Sequence, residues 1–186
     1  MKGKSGELLL TTGGSCDFDP EHLLEVFAEQ RKRFMEILEG FGPKDWAAPT
    51  RCAAWSAHDV IRHLCECNAI ATGTDNRSID VAAGFDPRIT PREWMTASAD
   101  EPPAVTLARF AGTTEELFGL ARARLVQRRR FDVRLPYGPM DWTVLVLHAF
   151  WDSWIHERDV STRPRMDCSW RPQPPYCFSA IKWSRD

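Results

Sequence analysis

Between Asp19 and Gly40 the apolar residues Leu23, Leu24, Phe27, Phe34, Met35 and Leu38 keep to one face of a 3.6-residue period. Asp19-Pro20 reads as an N-cap followed by the first helical position, and Gly40 as a C-cap, so the pattern predicts a first helix between them. Ser56, with Asp59 three residues on, resembles a capping box with aspartate in the acidic place. A second helix follows to about Ala71, with Val60, Leu64, Cys67, Ile70 and Ala71 on its apolar face and His63 in the middle of that face. A third helix over Pro103–Gln127 turns Leu107, Phe110, Ala111, Thr114, Leu117, Phe118, Ala121 and Leu125 inward. A fourth runs from about Asp141 to Val160.

The connections differ in length. Residues 41–55 hold Pro43, Pro49 and two tryptophans, and read as an ordered loop. Residues 72–102 carry Gly73, Gly84, Pro87, Pro91 and Pro102 and form the longest link, with one short helix near Pro91–Ala97. Leu135-Pro136-Tyr137-Gly138-Pro139 reads as a turn. No segment longer than a few residues has strand period, and no repeat is visible. The pattern therefore predicts an all-α four-helix bundle over residues 19–162. Antiparallel neighbours need only a short link, so the long crossover between the second and third helices argues that these two run the same way: up-down-down-up. Residues 1–18 read as a flexible leader. Residues 163–186, with Pro164, Pro172, Pro174 and Pro175 and no periodicity, read as an irregular tail, consistent with a truncated or frame-altered reading frame.

A length of 186 residues fits one domain with a good core. A formal charge of -2 leaves no electrostatic footprint for nucleic acid or an anionic membrane. The run Arg128-Arg129-Arg130 reads as a solvated helix end, favourable at the negative end of the helix dipole. No apolar run reaches the roughly 20 residues of a membrane span. A cytoplasmic protein with mostly reduced thiols is expected. None of the six cysteines forms a C-x-x-C pair, and Cys67 reads as ordinary small-residue packing.

The fourth helix changes the picture. On it His148, Asp152, His156 and Asp159 fall within roughly 80° of one another, on a side that continues into Val144, Leu145, Trp151 and Ile155. Titratable groups on a core-like face need partners, because burying them unpaired costs several kcal/mol. A metal ion is an economical partner for imidazoles and a carboxylate spaced i, i+4. Asp152 and His156 clamp from one helix, and His63 on a facing helix completes a tripod. His148 is placed to replace Asp152 as a ligand or to line the pocket. Asp159 is placed to hold the second nitrogen of His156. The bland alternatives are a hydrogen-bonded core histidine at 63 and a helix-surface contact between Asp152 and His156. His22 and His58 map to surface or helix-start positions.

The stretch Asp45-Trp46…Pro49-Thr50-Arg51-Cys52-Ala53-Ala54-Trp55-Ser56-Ala57-His58-Asp59-Val60-Ile61-Arg62-His63-Leu64 resembles a signature of the mycothiol-dependent maleylpyruvate isomerase family, within the DinB-like metalloenzyme superfamily. Leu135-Pro136-Tyr137-Gly138-Pro139-Met140, followed by a Trp-rich helix ending in His156-Glu157-Arg158-Asp159-Val160, is similar to the family's last bundle helix. The resemblance covers about residues 20–162. It implies a DinB-like four-helix bundle, and its metal ligands fall on His63, Asp152 and His156. The family's acidic position is often Glu, so Asp152 is a methylene short.

What the resemblance implies is a divalent-metal-dependent thiol transferase or isomerase. The ion would be zinc, with nickel, iron and manganese as alternatives for the same donors. Mycothiol or a similar low-molecular-weight thiol would be the cosubstrate and a small electrophile the substrate. The alternative from another class is a non-catalytic metal- or ligand-binding bundle, or a decayed paralogue. Catalytic residues beyond the ligands, and whether the protein is a monomer or a dimer, stay open.

Overall fold

The computed structural model describes residues 19–52, 54–75, 90–127, 132–135 and 138–161. The leader, the tail, the arginine run and much of the long crossover lie outside the described residues. The elements in chain order are α1 (Pro20–Glu39), α2 (Pro43–Trp46), α3 (Ala57–Asp75), α4 (Thr90–Ala97), α5 (Pro103–Gln127), β1 (Asp132–Leu135), β2 (Gly138–Asp141) and α6 (Trp142–Ser161).

Local chemistry sets most of these ends. Asp19 caps α1 by accepting from the Glu21 amide at 2.9 Å, and Pro20 loses nothing there because that first-turn N–H has no helical partner. Gly40 closes α1 with its N–H on the Ile37 carbonyl at 3.2 Å. The box at the start of α3 is reciprocal: the Ser56 amide and hydroxyl donate to Asp59 Oδ2 at 2.8 and 2.6 Å, and the Asp59 amide donates to Ser56 Oγ at 3.2 Å. Asp141 caps α6 through the Thr143 amide at 2.9 Å and its hydroxyl at 2.7 Å.

Two features depart from the sequence reading. The loop at 41–55 contains the single-turn helix α2, started by Pro43 and closed by Asp45 Oδ2 on the Gly42 amide at 3.0 Å. The segments on either side of the turn read at 135–139 pair as antiparallel strands, with Asp132 opposite Asp141 and Leu135 opposite Gly138, while residues 136–137 lie outside the described residues. Four-residue strands are too short to show a period of two, so the alternation test passes over them. The fold is thus helical with one short hairpin.

The four long helices pack around one core. On α1, Phe27 meets Phe118 of α5 at 4.9 Å and Phe150 of α6 at 5.5 Å, and Phe34 meets Phe110 of α5 at 5.7 Å between ring centroids. On α3, Asn68 Nδ2 donates to Thr114 Oγ1 of α5 at 3.3 Å, and His63 faces α6. The apolar core has two halves. One gathers Phe27, Ala71, Leu117, Phe118, Leu145 and Ala149; the other gathers Phe34, Leu38, Val60, Ile61, Leu64 and Phe110. Removing each fully buried Phe from water contributes about 2–3 kcal/mol.

A belt of buried polar side chains lies between the halves: Gln30, Arg31, His63, Asn68, Asp152 and His156 among them. On the α1–α6 side the belt is satisfied internally. Gln30 donates to Glu157 Oε2 at 2.7 Å and accepts from the Ser153 hydroxyl at 2.8 Å. Arg33 grips the same Glu157 with two donors, at 2.7 and 2.9 Å. The α3–α6 side carries the histidines.

Candidate metal centre

His63 and Asp152 are the facing members of α3 and α6. His63 Nε2 lies 3.6 Å from Asp152 Oδ2, and His156 Nε2 lies 3.4 Å from Asp152 Oδ1. The carboxylate therefore stands between two imidazoles, whose centroids are 5.3 Å apart and whose planes are near perpendicular at 84°. His63 is 3% exposed and His156 2%, so bulk water does not screen these groups. The i, i+4 spacing on α6 is what turns Asp152 and His156 to the same side.

The far nitrogen of His156 is also committed. His156 Nδ1 is 3.1 Å from Asp159 Oδ2, and the Cys52 thiol donates to the same oxygen at 3.4 Å while its sulfur lies 3.7 Å from Nδ1. The His156 ring therefore stands between two carboxylates that can only accept, Asp159 at Nδ1 and Asp152 at Nε2. A lone pair facing a carboxylate is repulsive unless a proton or a cation lies between them.

The distances favour a cation. Charge-assisted hydrogen bonds run about 2.7–2.9 Å, shorter than either imidazole–carboxylate gap. Ligand atoms on a tetrahedral zinc, with bonds of about 2.0–2.1 Å, sit roughly 3.3–3.4 Å from one another. The donor set, two imidazoles and a carboxylate, also suits a divalent ion, so the residues fit the group that the family implies. Without an ion, protons take its place. Burial alone would push the His63 imidazole down, but the Cys67 sulfur and the Asp152 carboxylate outweigh it and raise its pKa to about 10. Burial would raise Asp152, yet the charge of His156 and the contacts with His63 hold it well below the carboxylate range.

Among the described residues, two groups bring their ligand atoms within 4.8 Å of one another: His63, Cys67 and Asp152, and Cys52, His156 and Asp159. His148 belongs to neither. It is half-buried, with its ring 6.3 Å from that of Trp151. The sequence reading gave Cys67 to packing; the structure sets its sulfur 3.5 Å from His63 Nε2. Its signal was available, since His63 and Cys67 repeat on α3 the i, i+4 spacing of Asp152 and His156 on α6. Of the residues read as bland, His22 is exposed beside Glu25, and His58 shares a 2.7 Å contact with Thr106 Oγ1 away from the centre.

Two further residues shape the site. Trp55 lies over it, 5.1 Å from the His63 ring and 6.5 Å from His156. It is held there by a tight loop in which Thr50 donates twice to the Trp55 carbonyl, both at 3.0 Å, and in which Ala54 takes a left-handed φ of 68°. That φ costs a non-glycine residue about 1–2 kcal/mol. Arg31 of α1 is 3% exposed and lies behind the centre. It donates to Asn68 Oδ1 at 3.1 Å and Thr114 Oγ1 at 3.4 Å, with its guanidinium over the Phe110 ring at 4.5 Å. Burial lowers its pKa to about 10, and the charge of Asp152 opposes the shift. The sequence reading passed over it, because an arginine between Phe27 and Phe34 reads as an interruption of an apolar face.

Fold and site together define a DinB-like helical bundle with a buried histidine–carboxylate centre. The profile of the mycothiol maleylpyruvate isomerase N-terminal domain matches residues 27–161, and the chain belongs to that family. The crystal structure of the mycothiol-dependent maleylpyruvate isomerase shares the fold with a TM-score of 0.64 at 14% identity, over 78% of this chain and 62% of that one. A histidine-to-alanine mutant of that isomerase gives the same values. This chain thus spans less than two thirds of the length of those structures. No curated protein matches it in sequence.

Proposed function

We propose that the protein is a divalent-metal-dependent thiol transferase or isomerase that uses mycothiol or a similar small thiol on a small electrophile. The observation that carries this reading is the Asp152 carboxylate set between the Nε2 atoms of His63 and His156 at 3.6 and 3.4 Å. His63, Asp152 and His156 would hold the ion, zinc being the first expectation for two imidazoles and a carboxylate. Bound there, a divalent cation stabilises a thiolate at neutral pH, which is the nucleophile such chemistry needs.

The chain's own residues do the rest. Asp159 and Cys52 hold the Nδ1 side of His156, so that Nε2 points toward Asp152. Trp55 covers both rings and excludes water from one side. Arg31 supplies a buried positive charge that offsets the cluster of carboxylate and thiols.

The helix order belongs to the same reading. Phe27 beside Phe118 and Phe34 beside Phe110 support opposite directions for α1 and α5, and His58 beside Thr106 with Asn68 beside Thr114 supports a common direction for α3 and α5. The bundle is then up-down-down-up, with the centre where α3 and α6 face each other. No helix among the described residues is long and apolar enough to cross a membrane. A cytoplasmic enzyme with small-molecule partners is proposed.

One observation favours a second reading, a metal-binding bundle without turnover. Cys67 converges with His63 and Asp152 while His156 groups with Cys52 and Asp159, and a centre closed by a cysteine beside its other donors is the usual form of a structural site. The test is elemental analysis of untagged protein paired with a thiol-transfer assay. Stoichiometric metal with turnover supports the enzyme; metal without turnover supports the binding bundle; the absence of metal removes both.

A further inference from the structure

Each helix that faces the centre carries an i, i+4 pair of potential donors: His63 and Cys67 on α3, Asp152 and His156 on α6. The Cys67 sulfur is 3.5 Å from His63 Nε2 and 3.8 Å from Nδ1, and it converges with His63 and Asp152 within 4.8 Å. A sulfur and a nitrogen on one tetrahedral zinc, with bonds of about 2.3 and 2.0–2.1 Å, are roughly 3.5 Å apart. At 3.5 and 3.8 Å from the two ring nitrogens the sulfur lies beside the His63 ring, and a rotation of the Cys67 side chain brings it to the ion at Nε2. A sulfur at a ring nitrogen in a site with no other use for it is poorly explained by packing, since Cys67 is only half-buried and makes no part of either apolar core.

We propose that Cys67 is a thiolate ligand of the ion held by His63, Asp152 and His156, so that this chain's resting centre has two nitrogens, one carboxylate and one sulfur. The proposal rests on the metal reading above. Binding breaks the S–H bond of Cys67, forms a metal–sulfur bond and passes the proton to solvent, with no change of oxidation state. The sulfur shifts the preference of the centre toward zinc and away from manganese, because thiolate is a soft donor. It also closes the resting centre: an incoming thiol enters only if Cys67 leaves or coordination rises to five.

Cobalt(II) reads this directly, because thiolate ligation adds a near-ultraviolet charge-transfer band that nitrogen and oxygen donors lack. The full-length protein loaded with cobalt should show the band, Cys67→Ser and Cys67→Ala should lose it, and Cys52→Ser should keep it. Zinc X-ray absorption of the wild-type protein needs no variant, and should show one sulfur at about 2.3 Å among lighter donors at about 2.0 Å. Cobalt bound without the band, a band that survives loss of Cys67, or a zinc shell of nitrogen and oxygen alone overturns the proposal and leaves the metal reading standing. Wild-type protein that takes up neither metal overturns both.

Discussion

Asp152 of α6 offers one carboxylate oxygen to each of two imidazoles, Oδ2 toward His63 Nε2 at 3.6 Å and Oδ1 toward His156 Nε2 at 3.4 Å. Neither gap is short enough for a charge-assisted hydrogen bond, and the His156 ring has a second carboxylate, Asp159, 3.1 Å from its Nδ1. Asp152 therefore stands where a positive charge balances it, carried by the ring proton of His63 in the metal-free protein and by the ion in the proposed holoprotein.

Replacing Asp152 separates the candidate ligands. Asp152→Ala is expected to lose metal, because the remaining imidazoles come from different helices with nothing between them. Asp152→Glu is expected to keep it, since the longer carboxylate offers the same donor atoms one methylene further from α6. His148 is one turn before Asp152 and half-buried, so the double variant Asp152→Ala with His148→Ala decides its role. Full metal in the single variant and none in the double would make His148 a ligand and Asp152 dispensable. Metal content per chain is the readout.

Asp159 acts through His156 rather than on the ion. Asp159→Asn keeps a hydrogen-bonding group at 3.1 Å from Nδ1 but removes its charge. Metal affinity is expected to fall roughly 10–100-fold, with stoichiometry unchanged. Competition against a chelator measures it; unchanged affinity would remove Asp159 from the site.

Metal uptake is expected to release protons at pH 7. In the metal-free protein the pKa of His63 stands at about 10, above an unfolded value near 6.5, so the ring carries a proton that the ion must displace. The sign is set by that shift: apparent metal affinity rises with pH up to about 10 and falls in acid. Calorimetric titration in two buffers of different ionisation enthalpy should find about one proton per ion from His63. Release that is absent in wild type, or undiminished in His63→Ala, would count against this assignment.

The capping box at the start of α3, the helix that carries His63, is expected to be sensitive to acid. Asp59 is a burial-raised carboxyl whose hydrogen bonds to Ser56 and contact with Arg62 win, so its folded pKa lies below the unfolded one. Its contribution is present above about pH 4 and lost as pH falls through the lower folded value. Asp59→Ala removes the cap and leaves the buried Arg62 with only the Met95 carbonyl and Ser98 hydroxyl as acceptors, at about 1–3 kcal/mol. Urea unfolding at neutral pH should show that loss, and the gap between variant and wild type should narrow in acid.

Much of this was legible in the chain because it is local. The Asp19 and Ser56–Asp59 caps and the proline starts of α1 and α5 act within one or two turns and appear where the pattern puts them, whereas Trp151, read on the core-like side of the last helix, is exposed. The i, i+4 pair on α6 and the lone histidine on α3 singled out the residues that the fold brings together. What the pattern missed is non-local or short. The hairpin strands have four residues each, and their pairing partner lies across a turn. Cys52 reaches His156 across more than a hundred residues, so only the folded loop before α3 reveals the contact. Arg31 reads as a break in an apolar face because its partners Asn68 and Thr114 sit on other helices.

The most direct test of the centre is the number of divalent ions per chain in untagged wild-type protein and in His63→Ala, measured together by elemental analysis after zinc loading and gel filtration. Two ligands left on α6 cannot complete a tripod, so one zinc per wild-type chain and close to none in folded His63→Ala is the expected result. Equal metal in the two proteins, or no metal in the wild type, would contradict a centre built on His63, Asp152 and His156.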